Sequence, residues 1–184
     1  MKKYLTLAAL IIAFAGNAQA QNASSTAQQT VQLDLSNAVE MTFVNSGNAT
    51  GNTVTMNFNT ADNYANGVES AAQELKIRSN KDFKVAVKID YSSFSYAGTG
   101  TINLATIPTN AFEMKLVDNN TGGSVAAPFS TTSYSTITAT DQDVILNGNN
   151  GDDQRFSVKY KCTPGFGLPA GTYSFNMVYT ATQP

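Results

Sequence analysis

Apolar and polar residues alternate along residues 31–43. The odd positions carry apolar side chains, with Asn37 as the one interruption: Val31, Leu33, Leu35, Val39, Met41 and Phe43. Successive side chains of a β-strand point to opposite faces of its sheet. The pattern therefore predicts a strand with one face against a core and the other in water.

Similar segments follow at intervals, each bounded by Gly, Asn, Asp or Pro residues that favour turns. They lie at residues 54–58, 83–89, 112–116, 144–146, 156–162 and 173–179. Leu75 and Ile77 also stand at strand spacing, and good helix formers are concentrated only in residues 65–77, with one short turn of helix predicted near residues 70–74. At least seven strands and almost no helix are predicted.

Many short strands separated by Gly- and Asn-rich turns predict an all-β fold, a two-sheet antiparallel β-sandwich. A parallel sheet would need helical crossovers, for which the chain has no pattern. No internal repeat or linker divides the sequence, so residues 31–184 are predicted to form a single domain.

The first 20 residues have the pattern of a secretory signal peptide. Lys2 and Lys3 open it, an apolar run fills residues 5–15, and Ala18 and Ala20 close it. The run is shorter than the ~20 residues that span a bilayer. We therefore expect no membrane span and an exported protein that reaches the cell surface or the extracellular space through the periplasm. Residues 21–30 are almost entirely polar and are predicted to be a flexible N-terminal arm.

The amino-acid composition limits which partners and which kinds of site are expected. The net charge is −2, and it becomes more negative when Lys2 and Lys3 leave with the signal peptide, so nucleic acid is not a predicted partner. The chain contains no histidine, which removes the commonest general base and the commonest zinc ligand. No catalytic residue, metal or cofactor is predicted, and the protein is not expected to be an enzyme. Cys162, the only cysteine, alternates with apolar residues and is predicted to be buried.

Three segments leave two interpretations open. Residues 147–153 are rich in oxygen ligands and fit either a calcium loop or a hairpin turn, the turn being favoured. A basic cluster fits either an anionic polysaccharide or a guard against edge-to-edge aggregation, the guard being favoured: Lys76, Arg78, Lys81, Lys84 and Lys88. Tyr91, Phe94 and Tyr96 are candidate ligand contacts on which a sugar would stack, or ordinary packing at the end of the sandwich.

The mature chain resembles the secreted pilin-like subunits of bacterial surface fibres, of the chaperone–usher and spore-coat-U-like groups. The resemblance rests on the polar arm leading into the alternating residues 31–43, on the series of strands, and on the Gly171-Thr172-Tyr173 turn that opens a final alternating strand. It implies an immunoglobulin-like sandwich assembled by strand exchange. The implied partners are further copies, other fibre subunits and a periplasmic chaperone. Many such subunits carry a cysteine pair near their start, which this chain lacks.

Two functions are therefore expected. The first is an exported, non-catalytic structural subunit of a surface fibre or extracellular matrix. Val31, Leu33 and Leu35 have the register of a donated strand, or they form the domain's own first strand; alternation alone does not separate the two. The alternative is a secreted module that binds glycan or another envelope component through loops at residues 92–100 or 121–134.

Overall fold

The computed structural model describes residues 25–44, 49–50, 53–103, 107 and 110–184. The predicted signal peptide, residues 1–20, lies outside the described residues. The chain divides into two compact units between Leu35 and Ser36. In the first unit, the described residues 25–35 have no regular secondary structure and are exposed.

The second unit contains twelve strands and one short helix within the described residues. Their bounds are β1 Val39–Val44, β2 Ala49–Thr50, β3 Thr53–Val54, α1 Ala61–Asn66, β4 Val68–Glu69, β5 Gln73–Ser79, β6 Phe83–Gly98, β7 Phe112–Asn120, β8 Ser124–Val125, β9 Ser135–Thr136, β10 Gln142–Gly148, β11 Gly151–Cys162 and β12 Gly171–Thr182. Within the described residues, no helix is both long and apolar enough to cross a membrane.

The strands form two main antiparallel sheets. One has the order β1-β5-β11-β7-β9, with β4 also paired to β11, and the other has the order β12-β6-β10-β8. β2 and β3 make a separate small ladder. The all-β, two-sheet antiparallel fold predicted from the sequence is confirmed.

The core lies where the two sheets supply alternate side chains to one apolar cluster. Phe83, Val85, Val87 and Ile89 of β6 are at most 1% exposed. The first sheet contributes side chains that are equally buried, namely Leu75, Ile77, Met114, Leu116, Phe156 and Val158. Full burial of one such side chain stabilises a fold by roughly 1.5–3 kcal/mol, so this cluster is the main source of stability.

The strand predicted from Val31 begins only at Val39. Val39 pairs with Ser79, the last residue of β5, so earlier residues have no facing strand in that ladder. Asn80 ends the pairing, because its main-chain N–H donates to the Ala38 carbonyl and its side-chain oxygen accepts from the Ala38 N–H, at 3.1 and 2.9 Å.

The helical turn predicted near residues 70–74 is wrong. The helix is α1, and residues 73–79 form β5 instead. Thr60 caps α1 by accepting from the Asn63 N–H, and the Asn63 side chain accepts from the Thr60 N–H in return. This reciprocal cap stabilises a helix at a place where the apolar pattern shows none.

Candidate functional site

The one thiol of the chain is inert. Cys162 is 6% exposed on β11, and burial raises the pKa of its thiol to about 12. At neutral pH it is therefore protonated, which removes its nucleophilic character. Within the described residues, no group of three or more His, Cys, Asp or Glu side chains is placed to hold a metal ion.

The segment at residues 147–153 comprises the end of β10, the turn at residues 149–150 and the start of β11. Asn147 adopts a positive φ of 54°, and the Asn150 N–H donates to the Asp82 carboxylate at 3.1 Å. Asp153 pairs with Lys76 at 3.0 Å and with Arg155 at 2.8 Å, and these contacts lower the pKa of its carboxyl. β10 and β11 belong to different sheets, so this segment connects the two sheets and is not the predicted hairpin. The carboxylate of Asp153 is used in ion pairs.

Four of the five residues of the predicted basic cluster lie on two inner strands, and Lys81 lies in the turn between these strands. Lys76 and Arg78 lie on β5, between β1 and β11, while Lys84 and Lys88 lie on β6, between β12 and β10. The guard interpretation requires an edge strand and is therefore wrong. Four cations of the cluster face carboxylates instead, in the pairs Lys76–Asp153, Arg78–Glu40, Lys84–Asp143 and Lys88–Asp141, at 3.0 to 3.3 Å. A charge already paired offers little to an anionic polysaccharide.

β1 leaves apolar side chains uncovered on the core face of the first sheet. Met41 pairs with Ile77 and Phe43 pairs with Leu75, and both partners are buried at 1% exposure or less. Paired residues project from the same face of a sheet, so Val39, Met41 and Phe43 point toward the core. Even so, Val39 is 42% and Phe43 39% exposed. The core is therefore open along this edge.

β12, at the edge of the second sheet, also leaves core-facing side chains uncovered. Met177 pairs with Ile89 and Tyr179 pairs with Val87, whose side chains are fully buried, yet Met177 and Tyr179 are only half-buried. We call the uncovered core-facing residues of these two strands the open seam: Val39, Met41, Phe43, Phe175, Met177 and Tyr179. Because β12 is an edge strand, the main-chain N–H and C=O groups on its outer side have no ladder partner among the described strands.

Two contacts join the strands that flank the open seam. The rings of Phe43 and Tyr179 meet edge to face, with centroids 5.9 Å apart. Further along, the Gln183 side-chain amide donates to the Ala38 carbonyl at 2.9 Å and to the Ser79 hydroxyl at 2.8 Å. The amide closes the seam at the end where β1 begins and β12 finishes.

The predicted donor residues are exposed. Val31 is 76%, Leu33 79% and Leu35 83% exposed. Three large apolar side chains in water, at alternate positions of a segment without a strand partner, are unfavourable unless something covers them. This is the property that strand donation requires.

The predicted sugar-stacking residues fall into two groups. Tyr96 and Phe94 contact the Tyr173 ring, with centroids 4.9 and 6.2 Å apart. Tyr91 does not join these rings and packs against the core, as Phe94 also does on another side. Phe94 and Tyr96 also line an open recess of about 660 Å³ together with Thr101, Ile102 and Asn103.

Sequence reasoning missed the other half of this ring cluster. Tyr64 of α1 stacks on Phe166 with an interplanar angle of 20° and centroids 5.9 Å apart, and Phe58 contacts Tyr64 at 5.8 Å. The hydroxyls of Tyr96 and Tyr173 donate to the carbonyls of Ala170 and Pro169, in the same loop that carries Phe166, so this loop connects the two halves. We call this set the aromatic patch: Phe58, Tyr64, Phe94, Tyr96, Phe166 and Tyr173.

One signal in the sequence pointed to this region. Phe166 stands between Gly165 and Gly167 in the loop before β12, and its side chain is 71% exposed. A large aromatic residue between two glycines has no neighbours in the chain to bury it.

A scan against models of protein families found no match to this chain, and a search of curated proteins found no significant match.

Proposed function

We propose that the protein is an exported, non-catalytic structural subunit of a surface fibre or matrix, and that residues 31–35 of one copy fill the open seam of another. The observation that carries the proposal is that one chain has both an acceptor and a donor. Its open seam leaves core-facing apolar side chains uncovered, and residues 31–35 are an exposed segment with apolar side chains at alternate positions. The resemblance to pilin-like subunits points to the same assembly, and it adds a periplasmic chaperone as an expected partner before assembly.

The strand order supports this proposal. β1 and β12 are the edges of opposite sheets, and the contacts of Phe43 and Gln183 bring them to the same side of the sandwich. This arrangement fits an immunoglobulin-like sandwich that lacks one strand, which would pair with the outer edge of β12. An added strand would supply the hydrogen bonds that this edge lacks and would cover the open seam.

The donor segment supports it as well. Val31, Leu33 and Leu35 are spaced by two residues, or about 6.6 Å in an extended strand, so their side chains project from one face. Gln32 and Asp34 then project from the other face, toward water. The seam residues Val39, Phe43 and Met177 are aliphatic or aromatic and match the donor side chains in character.

The proposal is tested by the variant Leu33→Asp in the full chain, with Gln32→Asp as its matched control. Both variants add one negative charge to neighbouring exposed positions, but only the carboxylate introduced by Leu33→Asp would enter the apolar seam, where an unpaired charge is strongly unfavourable. We expect the wild type and Gln32→Asp to form polymers that survive in unboiled gels, and Leu33→Asp to remain monomeric. Monomers of all three chains, isolated before assembly, should unfold at the same temperature.

A complementation experiment locates the acceptor. A peptide of residues 25–36 is added to the Leu33→Asp chain, which keeps its seam but does not donate. Binding should raise the melting temperature with peptide concentration, because a ligand that binds only the folded state stabilises it. Polymers of Leu33→Asp, or no polymers from the wild type, contradict the proposal. A Leu33→Asp monomer that melts well below the Gln32→Asp monomer, isolated before assembly, would instead make these residues the domain's own strand.

A further inference from the structure

The aromatic patch is built by three segments that are distant in sequence. Phe58 and Tyr64 come from residues 57–67, Phe94 and Tyr96 from residues 91–103, and the remaining rings from residues 163–176. Five of the six rings are half-buried, and Phe166 is largely exposed. The fold thus gathers ring faces from separate elements at one surface, and leaves them partly in water.

The three segments that build the patch carry little charge of their own. Asp62 is the only Asp, Glu, Lys or Arg in the three segments, although 13% of the whole chain is charged. Asn, Ser and Thr residues are frequent in the same segments, and they offer amide and hydroxyl groups for hydrogen bonds. A surface of this composition is complementary to a neutral ligand that carries both apolar faces and hydroxyl groups.

The rings are also held in place. The Tyr96 hydroxyl donates to the Ala170 carbonyl at 2.9 Å, and the Tyr173 hydroxyl donates to the Pro169 carbonyl. These bonds fix both rings against the loop that carries Phe166. A surface that is already ordered loses little conformational freedom when a ligand binds.

We propose that the aromatic patch binds a neutral polysaccharide, with the rings of Phe166, Tyr64 and Tyr173 stacking on the C–H faces of its sugar units. Sugar rings present C–H groups on one face and hydroxyls at the rim, which matches aromatic faces surrounded by amides and hydroxyls. The recess beside Phe94 and Tyr96 is open, so it admits a chain that continues past it.

The test is native electrophoresis of the full chain in gels that contain one polysaccharide each: a soluble β-glucan, a galactomannan, amylose, or anionic alginate. The variants are Phe166→Ala and, as a control, Val117→Ala, which truncates an exposed apolar side chain on β7. We expect at least one neutral polymer to retard the wild type and Val117→Ala equally. Phe166→Ala should need about tenfold more polymer for the same retardation, and alginate should not retard any of them.

Folding and self-association are controlled separately. Phe166 lies in an open loop where glycines on both sides have no atoms near an added Cβ, so its truncation should leave the melting temperature unchanged. The assay is repeated in the Leu33→Asp background, which separates binding by one subunit from binding by a polymer. Absence of retardation by all three neutral polymers overturns the proposal, as does equal retardation of Phe166→Ala. A change in the sedimentation of Phe166→Ala without a change in its retardation would show that the patch contacts a second copy of the chain. That result would also overturn the proposal.

Discussion

Three ionisable groups that reach into the sandwich are kept neutral by their surroundings, including the hydroxyl of Tyr179, whose ring is half-buried. The hydroxyls of Tyr160 and Tyr179 lie 2.9 Å apart, and the Tyr179 hydroxyl also lies 3.0 Å from the sulfur of Met114. Burial raises the pKa of Tyr160 to about 12, and burial together with Tyr160 raises the pKa of Tyr179. Burial also raises the pKa of Cys162, which lies on the same strand as Tyr160.

The tyrosine pair predicts a loss of stability in alkali. An unfolded tyrosine loses its proton near its ordinary pKa of 10, whereas folded Tyr160 keeps its proton up to about pH 12. The unfolded chain therefore binds fewer protons between these values, and stability falls as the pH rises. Since one pKa unit corresponds to ~1.4 kcal/mol, we expect Tyr160 alone to remove roughly 2–3 kcal/mol by pH 12.

Urea unfolding of the wild type and Tyr160→Phe from pH 8 to 12 measures this effect. The stability of Tyr160→Phe should fall less steeply above pH 10, while Tyr64→Phe, at the surface, should follow the wild type. Parallel curves for Tyr160→Phe and the wild type would show that the buried hydroxyl is not the source of the alkaline loss.

Cys162 gives a second prediction at the scale of a residue. With its pKa raised from 9 to about 12, the fraction of thiolate at pH 8 is about a thousandfold lower than in an unfolded chain. Iodoacetamide should therefore leave the native protein unlabelled over hours and should label it within minutes in 8 M urea, as read by mass spectrometry. Rapid labelling of the native protein would show that the β11 thiol is open to solvent.

At the scale of elements, β6 contains a bulge that its alternating pattern does not predict. The predicted strand at residues 83–89 continues to Gly98, but its register against β12 jumps from Asp90–Asn176 to Ser95–Ser174. Four residues of β6, residues 91–94, therefore lie opposite a single residue of β12, Phe175, and form a bulge. The bulge brings Phe94 to Tyr173 and so helps to build the aromatic patch.

Short polar side chains hold this bulge. The Asp90 carboxylate accepts from the Ser92 N–H and hydroxyl at 3.0 and 2.6 Å, and these bonds lower the pKa of Asp90. The Ser93 hydroxyl accepts from the Asn176 N–H at 2.8 Å and donates to the Asp90 carbonyl at 2.6 Å. Ser93 thus replaces a main-chain partner that the bulge removes from β12.

We expect Ser93→Ala to lower the free energy of unfolding by about 1–2 kcal/mol, because it leaves the Asn176 N–H without its partner. Ser95→Ala, an exposed neighbour in the regular part of the ladder, should change stability by less than about 0.5 kcal/mol. Hydrogen exchange at the Asn176 amide should accelerate in Ser93→Ala alone. An unchanged exchange rate would mean that the ladder holds this amide without the serine.

The central strands were predictable because their partners bury every second side chain, as at Phe83, Val85 and Val87. Strands of two residues, such as β4, β8 and β9, were not, since their pairing depends on distant segments and leaves no periodic signature. The segment at residues 54–58 shows an intermediate case. Met56 and Phe58 pack against the core as their alternation predicts, but only Thr53–Val54 joins a ladder.

On the scale of the whole molecule, the sequence predicted single components of each candidate site but not their assembly. The donor pattern of Val31, Leu33 and Leu35 is visible in the chain, whereas the open seam exists only because β1 and β12 become edges on the same side. Likewise, Phe94 and Tyr96 were predicted, but Tyr64 and Phe166 were not, because those two rings meet only through tertiary packing. Sites made of segments far apart in sequence cannot be inferred from local periodicity.

The aromatic patch and the Gln183 contact lie at opposite ends of β12, and the open seam occupies the residues between them. Tyr173 stands near its beginning and Gln183 just past its end, which separates them by roughly 30 Å along an extended strand. Gln183 meets the chain where the compact unit starts, since its amide contacts Ala38 and Asn80, and Asn80 in turn donates to the Ser36 carbonyl.

This closeness of Ser36 and Gln183 has a mechanical consequence. In a polymer linked through residues 31–35, tension enters each subunit at Ser36 and is taken up by the neighbouring strands β1, β5 and β12. The force therefore passes through a small part of the subunit. The loops of the aromatic patch, which precede Tyr173 at the start of β12, do not carry it. A fibre built in this way would keep the aromatic patch of each subunit in shape while it is stretched.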